Sequence, residues 1–168
     1  MILMMVRYVS FILFFILALN NPLLAKEEFA EKVLVLKSKR ELQLFKNGKT
    51  FKTYDIGLGQ QPRGHKTQQG DSRTPEGHYV IDFRNPRSKF TLSLHINYPK
   101  QNDIKRARAR GVSPGGDIFI HGLPNGMRDF GKIFKNNDWT DGCIAVSNKT
   151  IRELWRLVKN GTPIEIRP

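Results

Sequence analysis

Cys143, the only cysteine of this 168-residue chain, follows His121 by 22 positions and comes directly after Gly142. A thiolate is a strong nucleophile, and an imidazole can take the thiol proton and later return it to a leaving amine. A glycine here lets a substrate carbonyl approach the backbone, where the N–H groups of Gly142 and Cys143 can stabilise an oxyanion. These residue types predict acyl transfer through a thioester, with Cys143 as nucleophile and His121 as proton acceptor and donor.

The competing interpretation of Cys143 is a free cysteine buried as a small apolar residue. An internal disulfide is excluded, because it needs a second cysteine. The glycine before the thiol, the upstream histidine and a signal for export together favour the nucleophile.

The amino-terminal 25 residues have the features of a secretory signal peptide. They contain one charge, Arg7, followed by an apolar run at residues 11–19 and by Ala25 at a small-residue cleavage site. The run is shorter than the roughly 20 apolar residues that span a membrane. We therefore expect an exported protein of the periplasm or cell envelope. The alternative is an uncleaved anchor over residues 2–19 that tethers the protein to the membrane.

The chain carries 28 Lys and Arg against 15 Asp and Glu, a net charge of +13. Such a charge favours polyanionic partners, which for an exported protein are anionic envelope polymers and not nucleic acid. The densest cluster, at residues 105–110, is either a solvated basic loop or short helix, or a contact surface. A non-catalytic module that adheres to such polymers is therefore the alternative to an enzyme.

The hydrophobic pattern predicts one mainly β domain with one helix packed on it. Alternating or β-rich runs predict strands at residues 32–36, 41–45, 50–56, 78–83, 91–95, 117–121 and 162–166. The first three form a meander, because short turns separate them. Apolar residues at helical spacing after Ser147 or Asn148 predict a helix that ends at Asn160-Gly161. Without a repeat or linker, we expect a β-sandwich or barrel-like sheet.

Three motifs occur in a fixed order along the chain. They are Gly70-Asp71 with Thr74-Pro75-Glu76-Gly77, then His121-Gly122, then Thr140-Asp141-Gly142-Cys143. In this order they resemble the YkuD-type L,D-transpeptidases, also called the ErfK family. The resemblance covers residues 32–167, and residues 138–146 look most similar to the YafK-like branch. It implies a YkuD-like catalytic domain, a β-sandwich of mixed sheets with one helix in the carboxy-terminal region.

The resemblance also implies a cell-wall enzyme. Cys143 would attack the carbonyl at the L-centre of diaminopimelate in a peptidoglycan tetrapeptide stem and release D-Ala. The amine of a second stem, a lysine of a wall-linked lipoprotein, or water would then take the acyl group. Thr140, Asp141 and Gly122 are the candidate supporting residues. No metal or organic cofactor is implied, and we expect a monomer.

Two positions depart from the pattern of the family. Asp141 stands where many members have His, and it either orients His121 or caps a turn. Ala145 stands where many have Arg or Asn, so a contact with a substrate carboxylate is missing unless Arg128 or residues 105–110 supply it. The residues therefore leave two activities open: a transpeptidase, or a YafK-like hydrolase or amidase.

The remaining polar residues carry weaker signals. His65, His78 and His95 lack metal-ligand spacing, so a zinc site is not expected. Trp139 either walls the cleft or belongs to the core. Residues 111–116 form either a mobile cleft loop or a connection.

We predict that residues 1–25 are removed on export, because the apolar run is short and Ala25 follows it. The amino-terminal mass of protein isolated from the cell envelope checks this. A mature protein that begins at Met1 would show an anchor in place of a signal peptide.

Overall fold

The computed structural model describes residues 29–127 and 137–168. The strands of this part are β1 (Lys32–Leu36), β2 (Glu41–Lys46), β3 (Lys49–Asp55), β4 (Gly77–Asn85), β5 (Ser93–Ile96), β6 (Ile118–His121), β7 (Ile144–Ala145) and β8 (Pro163–Arg167). Its helices are α1 (Gln101–Ala109) and α2 (Asn148–Leu157).

The described strands form one curled mixed sheet in the order β3-β2-β1-β8-β4-β5-β6-β7. Neighbours are antiparallel except for β1 with β8 and β6 with β7, which are parallel. Beyond β3, Gly57 pairs with Ala145 of β7, and Gly59 pairs with Thr140. These bridges join the two ends of the strand order and curl the sheet. The predicted mainly β fold is confirmed.

Helix α2 covers the apolar interior of the curled sheet. Ser147 is its N-cap, where the side-chain oxygen accepts a hydrogen bond from the Thr150 N–H at 3.0 Å. Ile151 and Leu154, one turn apart on the same face, are fully buried in the core. The core also contains fully buried side chains from most strands, among them Val33, Val35, Leu42, Leu44, Ile81, Leu94, Ile96, Ile120 and Ile144.

The structure corrects the sequence prediction in two places. The basic segment, for which the sequence left a loop or a short helix open, contains helix α1, so the described residues hold two helices and not the one expected for the fold. The apolar pattern missed α1 because only Asp103 and Ala107 of this helix are buried. Strand β7 was not predicted, since two residues are too few to show a period.

The signal-peptide prediction lies outside the described residues. Within residues 29–127 and 137–168, neither helix is long and apolar enough to cross a membrane.

Replacement of Leu154 by Ala should destabilise the domain by about 2–5 kcal/mol, because it leaves a cavity under α2 where no solvent reaches. Urea denaturation followed by circular dichroism measures the change. Phe83→Ala is the matched control, since Phe83 is 52% exposed and its truncation should cost less than about 0.5 kcal/mol. Equal losses for both variants would contradict the core assignment.

Candidate active site

The parallel pairing of β6 with β7 brings the thiol and the imidazole to one face of the sheet. Ile120 lies opposite Ile144 in the register, and both are fully buried on the core side. Because strand side chains alternate between faces, His121 and Cys143 point away from the core on the other face. Phe119 lies on that same face, beside Cys143.

Both functional side chains line one cavity of about 530 Å³. The loop between β4 and β5 forms one wall with Arg87, Lys89 and Phe90, and Trp139 also lines the cavity. The rings of Phe90 and Trp139 also pack on the imidazole of His121, with centroids at 4.5 and 5.6 Å. Trp139 thus walls the cleft and also packs against the buried pair Leu123 and Ala145.

The hydrogen bond of the His121 side chain fixes which of its nitrogens can act as a base. Nδ1 lies 2.7 Å from the carbonyl oxygen of Gly122. A carbonyl can only accept, so Nδ1 carries a proton and the lone pair of a neutral ring is on Nε2. The residue is only 4% exposed, and this burial lowers the pKa of His121, although the bond to Gly122 opposes the change. The resting imidazole is therefore neutral and able to accept a proton.

The thiol of Cys143 is held by the backbone around the start of β6. The Phe119 N–H donates to Sγ at 3.4 Å, and the thiol lies 3.5 Å from the carbonyl oxygen of Asp117. Burial raises the pKa of the Cys143 thiol; the Phe119 N–H lowers this pKa, while the carboxylates of Asp117 and Asp141 raise it. The resting group is therefore a neutral thiol. Within the described residues Sγ has no hydrogen bond to His121, as is common for catalytic pairs that tighten around substrate.

Thr140 closes the turn that presents the cysteine. Its hydroxyl donates to the carbonyl oxygen of Cys143 at 2.7 Å and accepts from the Gly142 N–H at 3.2 Å. Because the turn uses the N–H of Gly142, that group is not free for an oxyanion. Within the described part of the chain the N–H of Cys143 makes no hydrogen bond, so it is the better oxyanion donor of the two.

Glycine is required at position 142. Its φ of +125° lies in a region that L side chains rarely adopt, and an added Cβ would lie 2.6 Å from the carbonyl oxygen of Arg73. The loop that contains Arg73 therefore presses directly on the turn before Cys143.

A partly buried ion pair anchors the approach to this turn. Arg40 Nη2 donates to Asp138 Oδ2 at 2.6 Å, and the Leu58 N–H donates to Asp138 Oδ1 at 2.9 Å. Arg40 lies in the turn between β1 and β2, far from Asp138 in sequence. Sequence reasoning missed this pair, because no local pattern connects the two residues.

The sequence profile of the YkuD family, described as the L,D-transpeptidase catalytic domain, matches residues 30–166. The chain belongs to this family. The resemblance stated from the motifs is therefore confirmed.

Comparisons with individual proteins agree with this family assignment. The chain is 28% identical over 133 residues to "Putative L,D-transpeptidase YafK" of Escherichia coli K12, a match that covers 70% of this chain and 46% of YafK. The solved structure of the helical cell shape determining protein Pgp2 of Campylobacter jejuni is 25% identical, with a TM-score of 0.62 over 81% of this chain and 46% of Pgp2. Bd1075 of Bdellovibrio bacteriovorus, at 24% identity and a TM-score of 0.55 over 84% of this chain and 51% of Bd1075, shares the fold. The chain spans about half the length of these relatives.

The predicted supporting residues take different places. Gly122 is fully surrounded, and its carbonyl, not Asp141, contacts the imidazole of His121. Asp141 is exposed at the rim of the cavity. Ala145 is 0% exposed and does not line the cavity.

The positive charge at the cavity comes from a segment that the sequence analysis did not single out. Arg87 and Lys89 line the cavity, whereas residues 105–110 lie on and just after α1 and do not. Arg128, the other cation considered, lies outside the described residues. Arg87 and Lys89 were missed because a cation in a loop carries no spacing signal until the loop is placed.

The electrostatics of the thiol give a testable pH dependence. Because burial raises the pKa of Cys143, the rate of its alkylation by iodoacetamide should have a midpoint above the ordinary thiol value of about 8.5. In denaturant the midpoint should return to that value. Asp141→Asn should lower the native midpoint, since the Asp141 carboxylate raises this pKa. A native midpoint at or below the denatured one would contradict the assignment of a neutral resting thiol.

Proposed function

We propose that this chain is a peptidoglycan L,D-transpeptidase that works through a thioester on Cys143. The observation that supports it most is the presence of a thiol and a neutral imidazole in one cavity, with Nδ1 of His121 committed to Gly122 and Nε2 left as the base. Membership of the L,D-transpeptidase family supports the class of substrate.

In the first half-reaction, His121 Nε2 takes the thiol proton as Sγ attacks the carbonyl at the L-centre of diaminopimelate. The backbone N–H of Cys143 stabilises the oxyanion. The bond to the nitrogen of D-Ala then breaks, and His121 returns the proton to that nitrogen. Cys143 is left acylated, and His121 is neutral again.

Arg87 and Lys89 give the donor cavity a way to recognise the stem. Both are exposed, and among the described residues neither forms an ion pair. A stem tetrapeptide carries carboxylates, which guanidinium and ammonium groups bind through charge-assisted hydrogen bonds. Arg87 and Lys89 would therefore supply the carboxylate contact that Ala145 cannot make.

Export to the cell envelope is part of the same proposal, because the proposed substrate lies outside the cytoplasm. The amino-terminal apolar run supports it. The exposed cations Lys105, Arg108 and Arg110 on and after α1 would face anionic envelope polymers. Pgp2 is described as a determinant of helical cell shape, and we infer a related role in wall remodelling for this chain.

Cys143→Ser should abolish turnover of a purified tetrapeptide muropeptide and keep the fold, because a hydroxyl is a far weaker nucleophile beside this base. His121→Gln should lower turnover by roughly 10²–10⁴-fold. Mass spectrometry of the products measures both effects.

His78→Gln is the matched control for the histidine, since His78 is exposed and does not line the cavity. Denaturation midpoints show whether each variant is folded. Near-normal turnover by the folded Cys143→Ser variant would reject the thioester. Tripeptide alone, with no cross-linked product at any acceptor concentration, would make the enzyme a hydrolase.

A further inference from the structure

A second cavity, of about 790 Å³, opens on the other side of the catalytic turn. Asp117 and Asp141 line both cavities, so these two residues mark the place where the cavities meet. The thiol of Cys143 lies against the carbonyl of Asp117 at this junction. An acyl group on Sγ could therefore be reached from either cavity.

His95 lines the second cavity and is held by a carboxylate. Its Nδ1 lies 2.6 Å from Asp82 Oδ1. The carboxylate accepts, so Nδ1 carries a proton and Nε2 is the atom free to exchange one. Asp82 does not line the cavity, whereas His95 does, so the edge of the ring away from Asp82 faces the cavity. The ring also packs edge-on against Phe119, with centroids 4.9 Å apart.

The strand register places His95 near the thiol. His95 lies opposite Phe119 in the pairing of β5 with β6, and Cys143 flanks Phe119 on the β7 side. Two strand spacings separate the Cα atoms of His95 and Cys143, which is roughly 10 Å. Their side chains share a face of the sheet with the Phe119 ring, and an acyl group on Sγ with an incoming nucleophile is long enough to span this separation.

We propose that the second cavity receives the amine that takes the acyl group, and that His95, positioned by Asp82, is the base that deprotonates it. The proposal rests on the proposed transpeptidase function and specifies its second half-reaction.

The charges at the junction select a cation. The carboxylates of Asp117 and Asp141 attract an ammonium group and repel a carboxylate. The one lysine that lines the second cavity, Lys66, is only 4% exposed, and its ammonium donates to Asp71 and to the carbonyl of Gln68. Its charge is therefore already compensated.

Both protons that the acceptor ammonium loses in this step have a destination. The acceptor ammonium gives one proton to Nε2 of His95, and the free amine attacks the thioester carbonyl. The C–N bond forms, the C–S bond breaks, and the second amine proton passes through His121 to the thiolate. His95 is partly exposed and returns its proton to solvent.

The test separates acylation from transfer. Each enzyme is acylated with a purified tetrapeptide stem, and the acyl-enzyme is followed by intact mass. A tripeptide stem is then added as the amine acceptor. His95→Gln should acylate within about twofold of the wild-type rate but transfer to the stem amine roughly 10²-fold more slowly, so that the acyl-enzyme accumulates. Asp82→Asn keeps a hydrogen-bond acceptor for Nδ1 of His95 but loses the negative charge. It should decrease kcat for transfer less than His95→Gln does, with an unchanged KM for the acceptor stem.

Hydroxylamine distinguishes a base from a structural residue. It is unprotonated at neutral pH and needs no deprotonation, so His95→Gln should transfer the acyl group to it as fast as the wild type does. His78→Gln is the matched control and should match the wild type with both acceptors.

Four outcomes would overturn the proposal. The first is wild-type transfer to the stem amine by His95→Gln, and the second is an equal loss with hydroxylamine. The third is a wild-type acyl-enzyme that decays to tripeptide at the same rate whether or not the amine acceptor is added, which would make water the acceptor. If the wild type forms no acyl-enzyme at all, the proposed function itself fails, and this proposal fails with it.

Discussion

The position of Cys143, the proposed nucleophile, depends on the pairing that closes the curled sheet. Gly57 and Ala145 exchange two backbone hydrogen bonds, of 2.8 and 2.9 Å, between the chain after β3 and the last strand of the sheet. Strand β7 has only two residues, so its pairing with β6 alone would hold it weakly. Because β7 is paired on both sides, the position and direction of Cys143, the residue just before this strand, are fixed relative to the sheet. The small side chain of Ala145 belongs to the same constraint, because it is fully enclosed beside Leu123 and Trp139.

The buried lysine Lys37 holds the loop that presses on the turn before Cys143. Lys37 is 2% exposed and donates to the carbonyls of Gly64 and Thr74 and to Glu76. Desolvation lowers the pKa of Lys37, and the bond to Glu76 opposes this. Such buried pairs contribute little net stability compared with apolar packing, but they accept few alternative geometries. They therefore fix the loop, and the loop fixes the backbone at Gly142.

The sequence predicted those parts of the structure that have a local signal. The strands of the amino-terminal meander are β-rich or alternating runs separated by short turns, and α2 has both a cap and an apolar face, so the sequence shows where these elements lie. Helix α1 has almost no apolar face, and β7 is too short to show a period. Among the candidate site residues, Cys143 and His121 stood in motifs. Arg87, Lys89 and the pair of His95 with Asp82 depend on strand register and loop placement, which no local pattern encodes.

Burial opposes charge on both members of the proposed catalytic pair, and this bears on how such a site works. It raises the pKa of Cys143 and lowers that of His121, so the empty site favours thiol and imidazole over thiolate and imidazolium. Thiolates are the form that oxidants and alkylating agents attack, so a neutral resting thiol is protected from both. Activation then requires proton transfer to coincide with attack on a bound carbonyl. In the proposed mechanism, the Cys143 N–H stabilises the charge that develops on the substrate oxygen at that moment. The same burial that slows reaction with adventitious reagents therefore makes reactivity depend on a substrate that fits the cavity.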